Sequence, residues 1–162
     1  MRPRLSATAL AIAGLATCAT AYAAGPPYST PGLILGSPAA DHIQGTTGRD
    51  TVRSGAGNDT IRTGRGGDHI EAGAGNDIVL AGAGNDVAKG GDGNDILNGG
   101  SGNDRLGAGH GTDTARGGPG NDRIYTLDGE RDKVTCGPGS DRVIADIGVD
   151  QIASDCEVIF PR

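Results

Sequence analysis

The stretch Gly99–Gly107 reads GGSGNDRLG and places three glycines and an Asn-Asp pair before a single leucine. Similar segments recur along the chain, with an aspartate at every ninth position. These aspartates are Asp41, Asp50, Asp59, Asp68, Asp77, Asp86, Asp95, Asp104, Asp113 and Asp122. A usually aliphatic residue follows two positions later, at Ile43, Val52, Ile61, Ile70, Val79, Ala88, Leu97, Leu106, Ala115 and Ile124. Such a period is typical of a solenoid, in which each unit buries its apolar residue by stacking on its neighbours.

The composition supports no ordinary globular core. The chain has 162 residues with 31 Gly, 8 Pro, no Trp and only 2% aromatic residues, and without a period such a chain would be disordered. Its length allows one modest domain, and the repeats occupy most of it. No nucleophile elbow and no HExxH motif occurs. We therefore expect a protein that is not an enzyme.

Each nonapeptide divides into a turn and a strand. The complete form GGxGxD occurs at Gly90–Asp95, Gly99–Asp104 and Gly117–Asp122, and other repeats keep the second and fourth glycines. Glycine reaches positive φ in tight turns. The asparagines before the aspartates are expected to tolerate the same left-handed backbone, and they are Asn58, Asn76, Asn85, Asn94, Asn103 and Asn121. The three residues from each Asp are expected to form a short strand with its aliphatic residue inward.

The repeat resembles the hemolysin-type, or RTX, calcium-binding nonapeptide GGxGxDxUx from about Gly45 to Ile124. The resemblance implies an all-β fold, a parallel β-roll (a right-handed β-solenoid) in which two nonapeptides make one coil. It also implies several Ca²⁺ ions between turns of the same edge, held by main-chain carbonyls and carboxylates. Oxygen-only ligands suit this hard cation.

The resemblance implies that the second and fourth glycines and the aspartate of the repeats are the calcium ligands. These are Asp50, Gly55, Gly57, Asp59, Gly64, Gly66, Asp68, Gly73, Gly75, Asp77, Gly82, Gly84, Asp86, Gly91, Gly93, Asp95, Gly100, Gly102, Asp104, Gly109, Gly111, Asp113, Gly118, Gly120 and Asp122. Because alternate repeats share an edge, Asp50, Asp68, Asp86, Asp104 and Asp122 are expected on one edge. The other edge is expected to hold Asp41, Asp59, Asp77, Asp95 and Asp113.

The repeat degenerates at both ends. The turns before Asp41 (GSPAAD) and Asp50 (GTTGRD) lack key glycines, so weak or absent sites are expected there. After Asp122 one extra residue shifts the phase, and Asp132, Asp141 and Asp150 resume the interval of nine. The final apolar residues Val158, Ile159 and Phe160 are expected to cap the open end of the solenoid.

The N-terminus has the features of a signal peptide. Arg2 and Arg4 precede the apolar run 5–16, and Ala21 and Ala23 have the spacing of a signal peptidase site. A membrane anchor and lipidation at Cys18 are the alternatives, although the apolar run is short for a bilayer span. We predict a signal peptide at 1–23, a linker at 24–35, the β-roll at 36–125, and degenerate repeats with a C-terminal cap at 126–162.

Export would place the chain in an oxidising compartment. Cys136 and Cys156 would then be its two remaining cysteines, and we expect a disulfide between them that pins the C-terminal cap, two free thiols being the alternative. Loss of the leader would change the formal net charge from −6 to −8. This balance argues against nucleic acid and in favour of cations.

These features predict a secreted, extracellular calcium-binding module that folds on binding Ca²⁺. No membrane span is expected, and no protein or polymer partner is identified. The alternative is an adhesive or matrix protein that binds a surface or polymer through its outward strand face. On that face Ile78, Val87 and Ile96 are expected to form a modest apolar patch.

Overall fold

The computed structural model of the protein describes residues 32–158. The predicted signal peptide, most of the predicted linker, and Ile159 and Phe160 of the predicted cap lie outside the described residues. Within the described range no helix has the length and hydropathy needed to cross a membrane.

Fifteen short strands follow one another along this part of the chain. In chain order they are β1 Gly32–Leu35, β2 His42–Gln44, β3 Asp50–Ala56, β4 Thr60–Arg65, β5 His69–Ala74, β6 Ile78–Ala83, β7 Val87–Asp92, β8 Ile96–Ser101, β9 Arg105–His110, β10 Thr114–Arg116, β11 Arg123–Thr126, β12 Lys133–Thr135, β13 Arg142–Ala145, β14 Gln151–Ile152 and β15 Glu157–Val158. The first strand lies within the segment assigned to the linker, so the sheet begins before residue 36.

The strands alternate between two parallel sheets. The odd-numbered strands form an eight-stranded sheet and the even-numbered strands form a seven-stranded sheet. Each strand pairs with the strand two places along the chain, so that Ile61 lies opposite Val79 and Val79 opposite Leu97. One coil is therefore two nonapeptides, and the predicted all-β parallel solenoid is confirmed.

The predicted core residues form one interior column in each sheet. The aliphatic residues two positions after the aspartates are buried, and Leu97 and Leu106 have no exposed surface. A second buried column, which the sequence reasoning missed, lies four positions after each aspartate. Its members in the regular repeats are Ser54, Thr63, Ala72, Ala81, Gly90, Gly99, Ala108 and Gly117. Their small size leaves space for the neighbouring aspartate side chains.

The second column exists because the strands are longer than predicted. Three-residue strands were expected, but β4 to β9 each contain six residues and extend into the glycine-rich segment. In β8, for example, Leu97 and Gly99 are both buried, while Asn98 between them is partly exposed. The alternation of faces thus continues one step further along each strand.

The predicted shift of phase and the predicted disulfide are both confirmed. Thr114 pairs with Lys133, nineteen residues later, because the loop between β11 and β12 contains the extra residue. The Cys136–Cys156 disulfide then joins the turn after β12 to the turn before β15. Cys136 is buried, so the crosslink fastens the last coils from the inside.

The predicted apolar patch of three residues on the outer face is wrong. Ile78 and Ile96 lie side by side on the seven-stranded sheet. Val87 belongs to the eight-stranded sheet, where its neighbours are His69 and Arg105. Consecutive repeats alternate between the sheets, so residues nine apart in sequence face in different directions.

Adjacent leucine and isoleucine residues in β8 test the importance of the interior column. We expect Leu97→Ala to lower the free energy of unfolding by about 2–5 kcal/mol, because it leaves a cavity in a fully buried position. Ile96→Ala is the matched control: its side chain is 43% exposed, and we expect a loss of about 0.5 kcal/mol or less. Urea unfolding in excess calcium measures both, and equal losses would contradict this assignment of the core.

Candidate metal centres

The repeat aspartates form two buried columns, one along each edge of the solenoid. From Asp41 to Asp141 their exposed fraction is at most 2%. From Asp41 to Asp132, the main-chain N–H of each donates to Oδ1 of the next aspartate on the same edge. Asp77 donates to Asp95 at 2.8 Å, and Asp95 to Asp113 at 2.7 Å. The columns group the aspartates on the two edges as the interval of nine predicts.

The second oxygen of nearly every carboxylate in these columns has no hydrogen-bond partner. The unpaired atoms are Oδ1 of Asp41 and Oδ2 of Asp59, Asp68, Asp77, Asp86, Asp95, Asp104, Asp113, Asp122, Asp132 and Asp141. Burying an unpaired charged oxygen is costly. Such an atom requires either a proton or a cation.

The space beside the first glycine of each complete turn shows what surrounds these oxygens. A Cβ placed on Gly117 would meet Oδ2 of Asp122 and, at 2.8 Å, the carbonyl oxygen of Cys136 in the next coil. The same pair of atom types surrounds Gly99, contributed by Asp104 and Gly117. A carboxylate oxygen and a main-chain oxygen from successive coils therefore converge on one small space.

This donor set fits a calcium ion. Ca²⁺ takes six to eight oxygen ligands and accepts main-chain carbonyls readily. Within residues 32–158 no three side chains of His, Cys, Asp or Glu come together as a metal-binding group. A cation in these turns would therefore depend on main-chain oxygens together with the repeat aspartates.

The predicted ligand glycines adopt a backbone that other residues rarely reach. All sixteen have positive φ, between 100° and 147°. At Gly100, where φ is 100°, a side chain would also collide with the carbonyl oxygen of Gly82 in the preceding coil. Both the turn and the close stacking of coils therefore require glycine. The structure places the predicted ligands together in the turns, and their role in binding calcium stays a prediction.

The asparagines have a different role from the one predicted. No residue other than glycine has positive φ in the described part of the chain, so the left-handed conformation expected for them is wrong. Instead Asn76 Oδ1 accepts the main-chain N–H of Asn94 at 2.8 Å, and Asn103 Oδ1 accepts that of Asn121 at 2.8 Å. The asparagines thus form a second ladder outside each aspartate column.

Three aspartates outside the predicted ligand set also have an unpaired carboxylate oxygen. They are Asp41, Asp132 and Asp141. The turn before Asp141 reads CGPGSD, and its Gly137 and Gly139 have the positive φ of the regular repeats. These retained glycines are the sequence signal by which Asp141 could have been included among the predicted calcium ligands.

Burial makes several of these carboxyl groups weaker acids than usual in the metal-free roll. It raises the pKa of Asp95 and of Asp132 to about 7, and that of Asp104 to about 6, from an ordinary value of 3.8. Neighbouring carboxylates on the same edge add to the increase. The pKa of Asp77 and that of Asp86 are raised for the same first reason.

In the two N-terminal turns, hydroxyl side chains occupy positions that are glycine in the regular repeats. Thr46 donates to Asp50 Oδ2 through its N–H at 2.7 Å and its Oγ1 at 3.1 Å. Ser37 donates to Asp41 Oδ2 through its N–H at 2.6 Å and its Oγ at 3.0 Å. Among the buried repeat aspartates from Asp41 to Asp141, only Asp50 has no unpaired oxygen.

Thr46→Gly tests whether a protein donor replaces a cation at Asp50. The change completes the turn as GGTGRD and leaves Asp50 Oδ2 without its hydroxyl donor, so we expect one additional bound Ca²⁺ per chain. Ser37→Gly is the control, because its turn still has Ala39 where the regular repeats have the fourth glycine. Equilibrium dialysis with metal analysis counts the ions. An unchanged count for Thr46→Gly would contradict the prediction.

The raised pKa values predict that acid stabilises the metal-free roll. In the folded state Asp95, Asp104 and Asp132 hold protons up to pH 6–7, whereas in the unfolded chain they release them near 3.8. The contribution of these carboxyl groups to the stability of the metal-free roll is therefore fully present below about pH 4. It is lost as the pH rises through 6–7. We expect β-structure, followed by far-UV circular dichroism in calcium-depleted buffer, to increase from pH 8 to pH 4. A constant or decreasing signal would refute this.

Comparison with known proteins agrees with the geometry of the turns. The family model of the RTX calcium-binding nonapeptide repeat (4 copies) matches residues 35–70, 71–106 and 107–130, which is more than half of the chain. No curated protein gives a significant match. A period of nine, paired positive-φ glycines and a buried aspartate in each turn are all explained by this assignment: the chain belongs to the RTX calcium-binding nonapeptide repeat family.

Proposed function

We propose that this chain is a secreted calcium-binding module whose β-roll forms when Ca²⁺ occupies the spaces between successive turns. The observation that carries the proposal is the row of buried, unpaired carboxylate oxygens on each edge. When bound, the cation would supply the positive charge that these oxygens lack.

Metal-free folding at neutral pH is opposed by the same feature. Neighbouring coils are about 5 Å apart, so ionised aspartates on one edge repel each other by roughly 1–3 kcal/mol per pair. Glycine-rich turns lose much conformational entropy on ordering. Each nonapeptide buries few apolar atoms in return, since its second interior residue is small. Binding and folding are therefore expected to be one event, as in other small metal-dependent domains.

Secretion is part of the proposal and rests on the sequence. The N-terminal stretch 1–23 has the charge, apolar run and small residues of a signal peptide. The Cys136–Cys156 disulfide is consistent with an oxidising compartment. Outside the cell calcium is abundant, so the roll would be loaded there and would stay unfolded before export.

The role supported by these features is structural rather than catalytic. The RTX β-roll is a structural calcium-binding fold, and its buried aspartates are committed to the turns. The adhesive alternative depends on the outer faces of the sheets, which are separate from the calcium spaces.

Calcium titration of the metal-free protein tests the proposal directly. We expect a disordered far-UV circular dichroism spectrum in chelator at neutral pH, and a cooperative increase in β-structure at about 0.1–1 mM Ca²⁺, the range of extracellular modules. A folded spectrum that is unchanged by chelator at neutral pH would show that the roll needs no metal.

Two aspartates in one turn provide a matched pair of variants. Asp95→Asn removes the charge of a buried carboxylate whose Oδ2 is unpaired, and we expect the calcium midpoint to increase several-fold. Asp92→Asn removes the same charge from an exposed side chain in the same GGDGND turn, and we expect a much smaller change. Equal shifts would point to general electrostatics instead of site-specific ligation.

A further inference from the structure

A groove crosses the outer face of the eight-stranded sheet where one strand lacks a side chain. Gly107 in β9 lies in register between Lys89 of β7 and Tyr125 of β11. A Cβ on Gly107 would have no atom within 4 Å, so the space above the strand is open. The resulting cavity has a volume of about 640 Å³.

The sides of this groove are mainly apolar. Val87, Tyr125, Leu127 and Ile144 line it, and Tyr125 and Leu127 are 42% and 53% exposed. Leu127 directly follows β11 and lies beside the groove. An apolar surface that combines an aromatic ring with bare main chain suits a flat ligand with one apolar face.

A row of arginines runs beside the groove on the same face. Arg105, Arg123 and Arg142 lie in register on three neighbouring strands, which places them about 5 Å apart. Their side chains are exposed, and none of them forms an ion pair with another residue of the described range 32–158. By contrast, Arg53 and Lys89 on this sheet pair with Glu71 at 2.9 Å and 3.8 Å.

We propose that the groove and the arginine row bind an acidic polysaccharide, a chain of pyranose units that carry carboxylates. The apolar faces of the sugar rings would lie on Tyr125 and the main chain of Gly107, while the carboxylates pair with the guanidinium groups. Three aligned cations fit a ligand with regularly repeated charges better than one with a single charged group. The proposal rests on the proposed function, because the sheet must first be folded.

Nucleic acid is the other polyanion with flat, apolar faces, and the surface is less suited to it. Non-specific binding of single strands uses a series of aromatic side chains on which successive bases stack, whereas the groove is lined by one tyrosine, Tyr125, and one histidine, His110.

The test measures binding of trigalacturonate to the calcium-loaded protein by isothermal titration calorimetry. Gly107→Tyr should fill the groove without disturbing the sheet, since the space above it is open, and Gly107→Ala is its control. Arg123→Gln removes the central cation of the row. Arg62→Gln, on the other sheet, is the matched control. We expect Gly107→Tyr and Arg123→Gln each to weaken binding by about tenfold or more, with both controls near wild type.

Cellotriose serves as the neutral probe and a short oligothymidylate as the nucleic acid probe. We expect cellotriose to bind much more weakly than trigalacturonate, and added salt to weaken the binding of trigalacturonate. The proposal is overturned if trigalacturonate does not bind, if Gly107→Tyr and Arg123→Gln leave its affinity unchanged, or if the neutral or nucleic acid probe binds equally well. Far-UV circular dichroism in calcium checks that each variant is folded. A folded protein that does not bind trigalacturonate contradicts the groove proposal, whereas a protein that does not fold in calcium contradicts the proposed function.

Discussion

A buried carboxylate oxygen without a hydrogen-bond partner recurs in nearly every turn of this roll, and the rest of the structure depends on how it is satisfied. From Asp59 onward, Oδ1 of each repeat aspartate accepts a hydrogen bond from the main chain of the preceding coil on the same edge, as Asp95 Oδ1 does from Asp77 N–H. The other faces a small space shared with main-chain oxygens. A buried charge of this kind is stable only with a counter-charge or a proton. A bound cation and protonation in acid are therefore two ways to satisfy the same oxygen.

The remainder of each turn is arranged around the aspartate column. Positive-φ glycines let successive coils approach closely enough for their carbonyl oxygens to line the turn, and a side chain at Gly100 would collide with Gly82. Small interior residues such as Gly99 leave room for the carboxylate. Asparagines such as Asn94 add a ladder of side-chain to main-chain bonds. These requirements explain why the chain carries so few large apolar residues.

Asp50 and Asp150, near the two ends of the roll, have both carboxylate oxygens satisfied by protein donors. Near the N-terminus Thr46 donates to Asp50. Near the C-terminus Asp150 accepts from the main chain of Asp132 and Asp146, and from Thr126 Oγ1. Protein donors thus satisfy carboxylate oxygens of the kind that stay unpaired in the regular repeats. The disulfide adds a covalent restraint at the C-terminal end, where the repeat is most irregular.

The sequence by itself determined the period, the aliphatic interior column, the two edges and the shift of phase after Asp122, because each follows from spacing along one chain. It also predicted the disulfide, from the two cysteines that remain after loss of the leader and from the oxidising compartment that export would provide. Only the tertiary structure revealed the second interior column, the asparagine ladder and the unpaired oxygens, because these arise between residues about eighteen positions apart that meet when a coil closes. The same closure placed Ile78 and Val87 on different sheets, and it aligned Arg105, Arg123 and Arg142 beside Gly107. Neighbours across coils are set by three-dimensional stacking, which local spacing does not describe.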